Sequence, residues 1–515
     1  MGETPAPPDA ASVPDRARRL PDEPDLADFA AEADRLVDDG SAADVAAART
    51  RVAGRYGFAD WQTLEDRIWL VDRLTRWPTP AELTDDPAAG ITDPERLANR
   101  LCRLGCLTWT ADDDAGPVHA RRLLARSPWL AGVNAYTMAL TGQAEALAAL
   151  LGHDPEAARR PGGPHDWPPL LYLCYGRLTP EPTGGQVPGE AAALPLGSAT
   201  ATLQVLLEAG ADADSGFLWH GRLSPFTALT GVFGGGADQP PHPEAAALAD
   251  LLLRYGADPN DHQTLVHRMA DPDDTHLRVL LRYGLGQEHA GRWREQLGDH
   301  YPEPARMLID QLRYAASHGL TERVALLLDH DVPAEDPAGA RPADPSGAHP
   351  AERLTAFRLA VLGGHRETAR LLARAGADTG GADRVDELTG RLGAGDGWHS
   401  TLLVESDPAL VPQARARFPQ AVSLAAQFDR LGGVLLLLAH GWDPDVAQPG
   451  GRVGLHFAAR AGRRAMVQAL LDHHARPDLR DGLGATPADW ARGAGHTGLA
   501  DQLDALVGDA APPTR

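Results

Sequence analysis

A leucine pair running into a glycine turn recurs along this 515-residue chain and restricts it to a stack of short helices. It reads LLEAGADAD from Leu206, LLRYGADPN from Leu252, LLARAGADTG from Leu371 and LLLAHGWDPD from Leu436. The leucines supply a core face. Gly210, Gly256, Gly376 and Gly441 can adopt the left-handed conformation that ends a helix, and the Asp, Pro or Asn residues after them favour a turn. Each copy is therefore a helix end that enters a hairpin-like loop. Near the C-terminus Val453-Gly-Leu-His456-Phe-Ala aligns with Thr486-Pro-Ala-Asp489-Trp-Ala at a spacing of 33 residues, and the turn positions Gly441 and His474 are also 33 apart.

A 33-residue unit of one turn and two helices is the ankyrin arrangement, and the sequence resembles the ankyrin-repeat family. The start of the inner helix has a mechanism: the hydroxyl of Thr486 or Ser224 can cap free amides of the first turn, and Pro487 or Pro225 sits where no amide partner is needed. Taking the leucine pair as the mark of each outer helix places copies near 123, 150, 206, 252, 280, 327, 371, 402, 436, 470 and 503. The fold class expected is all-α, an ankyrin-repeat solenoid of about eleven helix-turn-helix repeats over residues 95–508. Pro- and Gly-rich insertions near 179–195 and 234–243 fall between inner and outer helices. Those near 287–304 and 333–350 follow an outer helix, so they lengthen hairpins and border the concave face.

Ahead of the array, residues 1–24 are Pro-rich and acidic without apolar periodicity and are expected to be a disordered tail, as are 509–515. Residues 25–77 read as a small helical module. Leu26, Phe29, Ala33, Leu36 and Val37 make one helical stripe, Gly40 stops it, and Trp61, Leu64, Ile68, Val71 and Leu74 make another. Tyr56 to Leu64 resembles a leader found before some bacterial ankyrin arrays. The module is expected to cap the apolar end of the first repeat.

Composition narrows the function. Acidic residues outnumber basic ones, 71 against 48, for a net charge of −23. Such a field repels nucleic acid and anionic lipid and favours a basic or mixed protein surface, with salt-sensitive association. All basic residues are arginine, which with abundant Ala, Gly and Pro reads as a high-GC, bacterial coding bias. No secretion signal opens the chain, and its longest apolar runs, such as 434–439, are far shorter than a bilayer span, so the expected location is the cytoplasm. Cys102, Cys106 and Cys174 are too few for a disulfide framework and read as buried small hydrophobes.

Motifs for chemistry fail on spacing. The run Asp112 to Asp114 lacks alternate calcium ligands, and its twelfth position is Leu123. Cys102 and Cys106 have no second close pair for zinc, and adjacent His473 and His474 point to different faces. Gly432-Gly433 lacks the rest of a dinucleotide fingerprint. His318, His365 and His496 each follow or precede a turn glycine and are expected to bond backbone. No cofactor or metal is implied. What remains is a monomeric, non-catalytic scaffold that holds another protein on the concave face, over roughly 800 Å² a side. The free positions in the best-matched copies are Gln448, Arg452, Arg460, Ala461, Arg480, Asp481, Leu483 and Ala485. The alternative is an enzyme or ligand-sensing subunit with a pocket built by the inserted loops and supplied with His165, Asp166 and Trp167, of which His165 and Asp166 would form an acid/base pair.

Overall fold

The computed structural model describes residues 18, 20–21, 24–83, 88, 90–110, 112, 115–178, 194–236, 238–289, 291–298, 301–335 and 354–509. Most of the expected tails and of the insertions at 179–195 and 333–350 lie outside these residues; within the expected N-terminal tail, Leu20 is buried and Arg18 N donates to Arg55 O at 2.6 Å, so this part packs on the helical module because leucine gains by leaving water. Two compact units are present, Met1–Met307 and Leu308–Arg515. Their boundary falls inside the helix Pro304–His318.

In the first unit, inner and outer helices alternate as Pro94–Gly105 with Ala115–Arg126, Ala135–Thr141 with Ala144–His153, Pro169–Tyr175 with Ala199–Glu208, Ala228–Phe233 with Ala245–Arg254, and His262–His267 with Thr275–Arg282. Inner helices pack on inner helices from one pair to the next, and outer on outer from Ala144–His153 onward. The leucine pairs make this possible: Leu206, Leu252 and Leu280 are fully buried between neighbouring outer helices. Caps set the starts. Thr227 accepts from the amides of Leu229 and Thr230, and Asp261 accepts from the amide of Thr264 at 2.7 Å.

The second unit continues the alternation, with Pro304–His318 and Thr321–Leu328, Ala356–Leu362 and Arg366–Arg374, Arg384–Ala394 and Gly397–Ser406, Ala421–Gln427 and Leu431–Ala439, Gly454–Arg460 and Arg464–Asp472, and Pro487–Gly493 and Thr497–Asp509. An additional helix, Leu410–Arg417, lies between the third and fourth of these pairs. Among the described residues of both units, eleven helix pairs stand where the leucine marks place them. Thr486 caps its helix through the amide of Asp489. At the inter-helix turns His365 Nε2 meets Ser317 O at 3.1 Å and His318 Nδ1 meets Tyr314 O at 2.9 Å.

The turn glycine Gly441 has φ +83°, and 33 residues later His474 holds the same left-handed conformation at φ +67°. An L side chain there costs on the order of 1 kcal/mol. His474→Gly is therefore expected to stabilise the second unit by about 1 kcal/mol, and Gly441→Val to destabilise it by about 2 kcal/mol. Urea denaturation of the full chain, read by hydrogen exchange in residues 431–485, measures both. Equal midpoints for the two variants would contradict the turn geometry.

The N-terminal module is three helices, Leu26–Asp38, Val45–Arg55 and Trp61–Leu74, capped by the side chains of Asp25, Asp44 and Asp60. Its last residues differ from the expected helical cap. Thr75–Arg76 forms a strand parallel to Gly216–Trp219, pairing Thr75 with Leu218 and Arg76 with Trp219. That strand in turn runs antiparallel to Phe226–Thr227. Arg76 also reaches Asp166 at 3.1 Å, and the Trp77 ring lies 4.2 Å from His220. The module is thus tied to the hairpin edge at 216–219, which offers unpaired backbone groups.

Candidate partner-binding surface

In the last two repeats the hairpins are bonded to one another and to the inner helices behind them. Gly482 N donates to Gly450 O at 2.7 Å, joining consecutive hairpins. His456, fully buried, accepts from Val453 N through Nδ1 at 3.2 Å and meets Ala485 O through Nε2 at 3.1 Å. Burial holds its imidazole below the usual value, so it is a neutral strut between repeats. Beside it Trp490 stands edge-on to His456 and Phe457, at 5.4 and 5.7 Å.

The expected contact residues divide sharply on this frame. Gln448 is 9% exposed and bridges Arg452 across its hairpin, which removes it from the surface set. Asp481 accepts from Ala485 N and Leu483 N at 2.9 Å and from Trp490 Nε1 at 3.0 Å, bonds that hold its carboxyl below the usual range. It organises the turn and is not an open ion-pair partner. Arg480 donates to Gly484 O at 2.6 Å, and Arg452 to Pro449 O at 3.1 Å. Ala485, half-buried, serves His456 through its carbonyl. Arg460 and Ala461 are exposed, and Leu483 is 95% exposed at the hairpin tip. Two aromatic residues complete the patch: Arg460 lies over Trp490 at 5.8 Å and Arg452 over Phe457 at 5.9 Å. Their signal was the aligned aromatic pair 33 residues apart, which sequence alone assigns to the core.

In the first unit the corresponding inner-helix surface is covered by the unit's own chain. The segment after Pro94–Gly105 crosses it: Leu107 N donates to Tyr175 O, Arg177 N donates to Gly105 O, and Trp219 Nε1 donates to Thr108 O. Trp109, at φ +58°, packs against Tyr175, Phe226 and His267 at 5.4 to 5.5 Å. Asp112 fixes the turn by accepting from Thr108 N and Trp109 N at 2.8 and 2.7 Å. Those amides use the carboxylate that the calcium pattern would need, and Asp113 and Asp114 lie outside the described residues.

The acid/base pair of the alternative reading does not form. His165 is buried among Trp167 and Tyr172, with ring centroids at 4.6 and 5.9 Å, and burial pushes its pKa down to about 3. Asp166 turns to Arg76 instead. A cavity of about 300 Å³ borders Asp166, Trp167, Asp212 and Arg292, but both of its carboxylates are matched, Asp166 with Arg76 and Asp212 with Arg292 at 2.5 Å, and its third arginine, Arg159, donates to Gly210 O. Cys102, Cys106 and Cys174 are buried free thiols, and burial raises all three out of the thiolate range. Among the described residues no group of three His, Cys, Asp or Glu side chains is arranged to hold a metal ion. No described helix is long and apolar enough to cross a membrane.

Helix pairs stacked inner on inner, hairpins bonded in series, and a polar-and-aromatic surface left on the hairpin side define an ankyrin-repeat solenoid. The comparison with known proteins agrees: residues 437–491 match the family described as ankyrin repeats (many copies). A curated relative is cyclin-dependent kinase 4 inhibitor B of Bos taurus, 41% identical over 75 residues, which is 14% of this chain and 57% of the relative. The similarity thus spans little more than half the length of that relative.

Proposed function

We propose that this chain is a non-catalytic, cytoplasmic and monomeric scaffold that holds a partner protein on the hairpin and inner-helix surface of its last two repeats. The observation that carries the reading is Leu483, 95% exposed at a hairpin tip, in the same two repeats as the arginines that lie over Phe457 and Trp490. An exposed leucine accompanied by Arg-capped aromatics has the composition of an interface centre, where aromatic and arginine side chains concentrate binding energy. The relative's name describes inhibition of a kinase, a protein target, and from it we take only the class of ligand. The Bos taurus match and the hairpin patch both favour protein over small molecule.

Affinity capture with mass spectrometry tests this, comparing the wild type with Arg460→Glu/Leu483→Asp. A partner recovered by the wild type is expected to fall at least tenfold with the variant, about 1.4 kcal/mol or more. Its yield should also drop between low and high salt, because the −23 field steers association. Equal recovery by both proteins places the partner elsewhere, and recovery of no protein at low salt rejects the scaffold.

A further inference from the structure

At two junctions in the second unit, the outer helix of one repeat lies along the outer helix of the next: Thr321–Leu328 packs on Arg366–Arg374, and Leu431–Ala439 on Arg464–Asp472. The junction after Arg366–Arg374 is built differently. Helix Leu431–Ala439 abuts Arg384–Ala394 directly, which Gly433 permits, since a Cβ there would lie 2.0 Å from Gly393 O. The helix Gly397–Ser406 is packed on Arg384–Ala394 and Leu410–Arg417. It approaches Arg366–Arg374 at its first turn, where Arg366 Nη1 is 3.5 Å from His399 Nε2, and it carries Trp398 74% exposed.

A cleft of about 650 Å³ remains beside Arg366–Arg374. Phe357, Val361, Ala369 and Ala373 make its apolar lining, and Arg366 and Arg370 on one side face Arg384 on the other. Four positions apart on one helix and seven apart on the other, the lining residues run along the cleft for about 10 Å, or two helical turns. The acids that border it are neutralised within the chain. Asp383 pairs with Arg417 at 2.6 Å and Glu387 with Arg391 at 2.5 Å. Arg384 donates to the neutral hydroxyl of Ser406, and Arg366 meets an imidazole. Arg370 has no hydrogen-bond or ion-pair partner among the described residues. Three arginines are thus uncompensated at one cleft of a chain whose net charge is −23.

We propose that this cleft is a second docking site, for an acidic amphipathic helix of a partner protein. The occupant is a helix because the cleft lies beside Arg366–Arg374 where the junctions at Thr321–Leu328 and Leu431–Ala439 place the next outer helix. It is apolar on one face, to meet Phe357 and Ala373, and acidic on its flanks, to meet Arg366, Arg370 and Arg384. The site draws on residues 357–391 and on none of the residues around Leu483, so it is independent of that hairpin patch.

The test is fluorescence anisotropy on the full-length chain with a fluorescein-labelled, 14-residue helical peptide that has leucine at every third or fourth position and glutamate between. A second peptide replaces each glutamate with lysine. The acidic peptide is expected to bind the wild type and to bind Arg370→Glu/Arg384→Glu at least tenfold more weakly, with Arg460→Glu unchanged. Ala373→Met, which fills the floor without changing charge, is expected to weaken it severalfold at an unaltered melting temperature. Failure of the acidic peptide to bind, equal binding of the lysine peptide, or indifference to both cleft variants overturns the proposal. So does binding of a small aromatic anion such as 8-anilinonaphthalene-1-sulfonate in the cleft with none of the peptide.

Discussion

Replacing Arg177 with methionine is expected to destabilise the first unit by about 4 kcal/mol, more than any surface change in the chain. This arginine is buried and all of its hydrogen bonds go to backbone carbonyls: Nε to Pro240 O at 2.8 Å, Nη1 to Gly176 O at 2.7 Å and Cys174 O at 3.1 Å, and Nη2 to Gly231 O at 2.6 Å. Burial lowers its pKa to about 10, which still leaves it charged at neutral pH. One guanidinium therefore ties the end of Pro169–Tyr175 to Ala228–Phe233 and to the insertion at 234–243. Methionine keeps the stem but leaves four acceptors without donors. Lysine keeps the charge, yet its ammonium is too compact to reach all four, so Arg177→Lys should recover less than half of the loss. Hydrogen exchange is the readout, with residues 228–245 expected to exchange much faster in the methionine variant. A loss under 1 kcal/mol would show that water replaces the guanidinium without penalty.

Arg177 marks the limit of what the sequence discloses. Outer helices were legible because Leu206, Leu252, Leu371 and Leu436 recur before a turn glycine, a signal carried within one helix. By contrast, Arg177 acts through carbonyls 54 and 63 residues away, and no local pattern encodes such a bond. The same holds for the strand Thr75–Arg76, two residues long and without periodicity, and for Trp109, whose contacts come from three different repeats.

The candidate surface was legible in part for a related reason. Counting by 33 finds the inner-helix ends and the hairpin tips, so Arg460 and Ala461 and, at a tip, Leu483 were found as exposed positions. Counting does not reveal that a turn brings the amides of Leu483 and Ala485 and the indole of Trp490 onto one carboxylate, which takes Asp481 out of the surface set. In the first unit the inner-helix side is occupied by Trp109, whereas the hairpin tips of the last two repeats carry an exposed leucine. That contrast favours the C-terminal repeats for the partner.

A second large effect is expected with pH. Asp214 is buried under Trp293, whose indole Nε1 donates to its carbonyl at 3.1 Å, and its carboxyl accepts from Asp258 N at 3.4 Å. Burial first, and then the neighbouring carboxyls of Asp258, Asp212 and Asp261, raise its pKa from 3.8 to about 8. A folded-state pKa above the unfolded one contributes stability that is complete below pH 3.8 and is lost as pH rises through 8, because the unfolded chain releases the proton first. The loss is about 1.4 kcal/mol per pH unit within that window. His165 and His242, lowered to about 3, and His267, lowered to about 4, act in the opposite sense. Each is lowered mainly by burial, and each removes stability as pH falls below 6.5. The first unit should therefore be most stable near pH 6.5. Asp214→Asn keeps the shape and the acceptor, so it should reduce the decline between pH 6.5 and 8 to what buried Asp261, also raised by burial, contributes, and steepen the fall below 6.5, where the opposing carboxyl is gone. Urea denaturation at pH 5, 6.5 and 8, followed by hydrogen exchange in residues 199–233, separates these limbs. If the asparagine variant declines from pH 6.5 to 8 as steeply as the wild type, Asp214 is ionised in the folded chain and its burial among carboxyls is sustained by another cation.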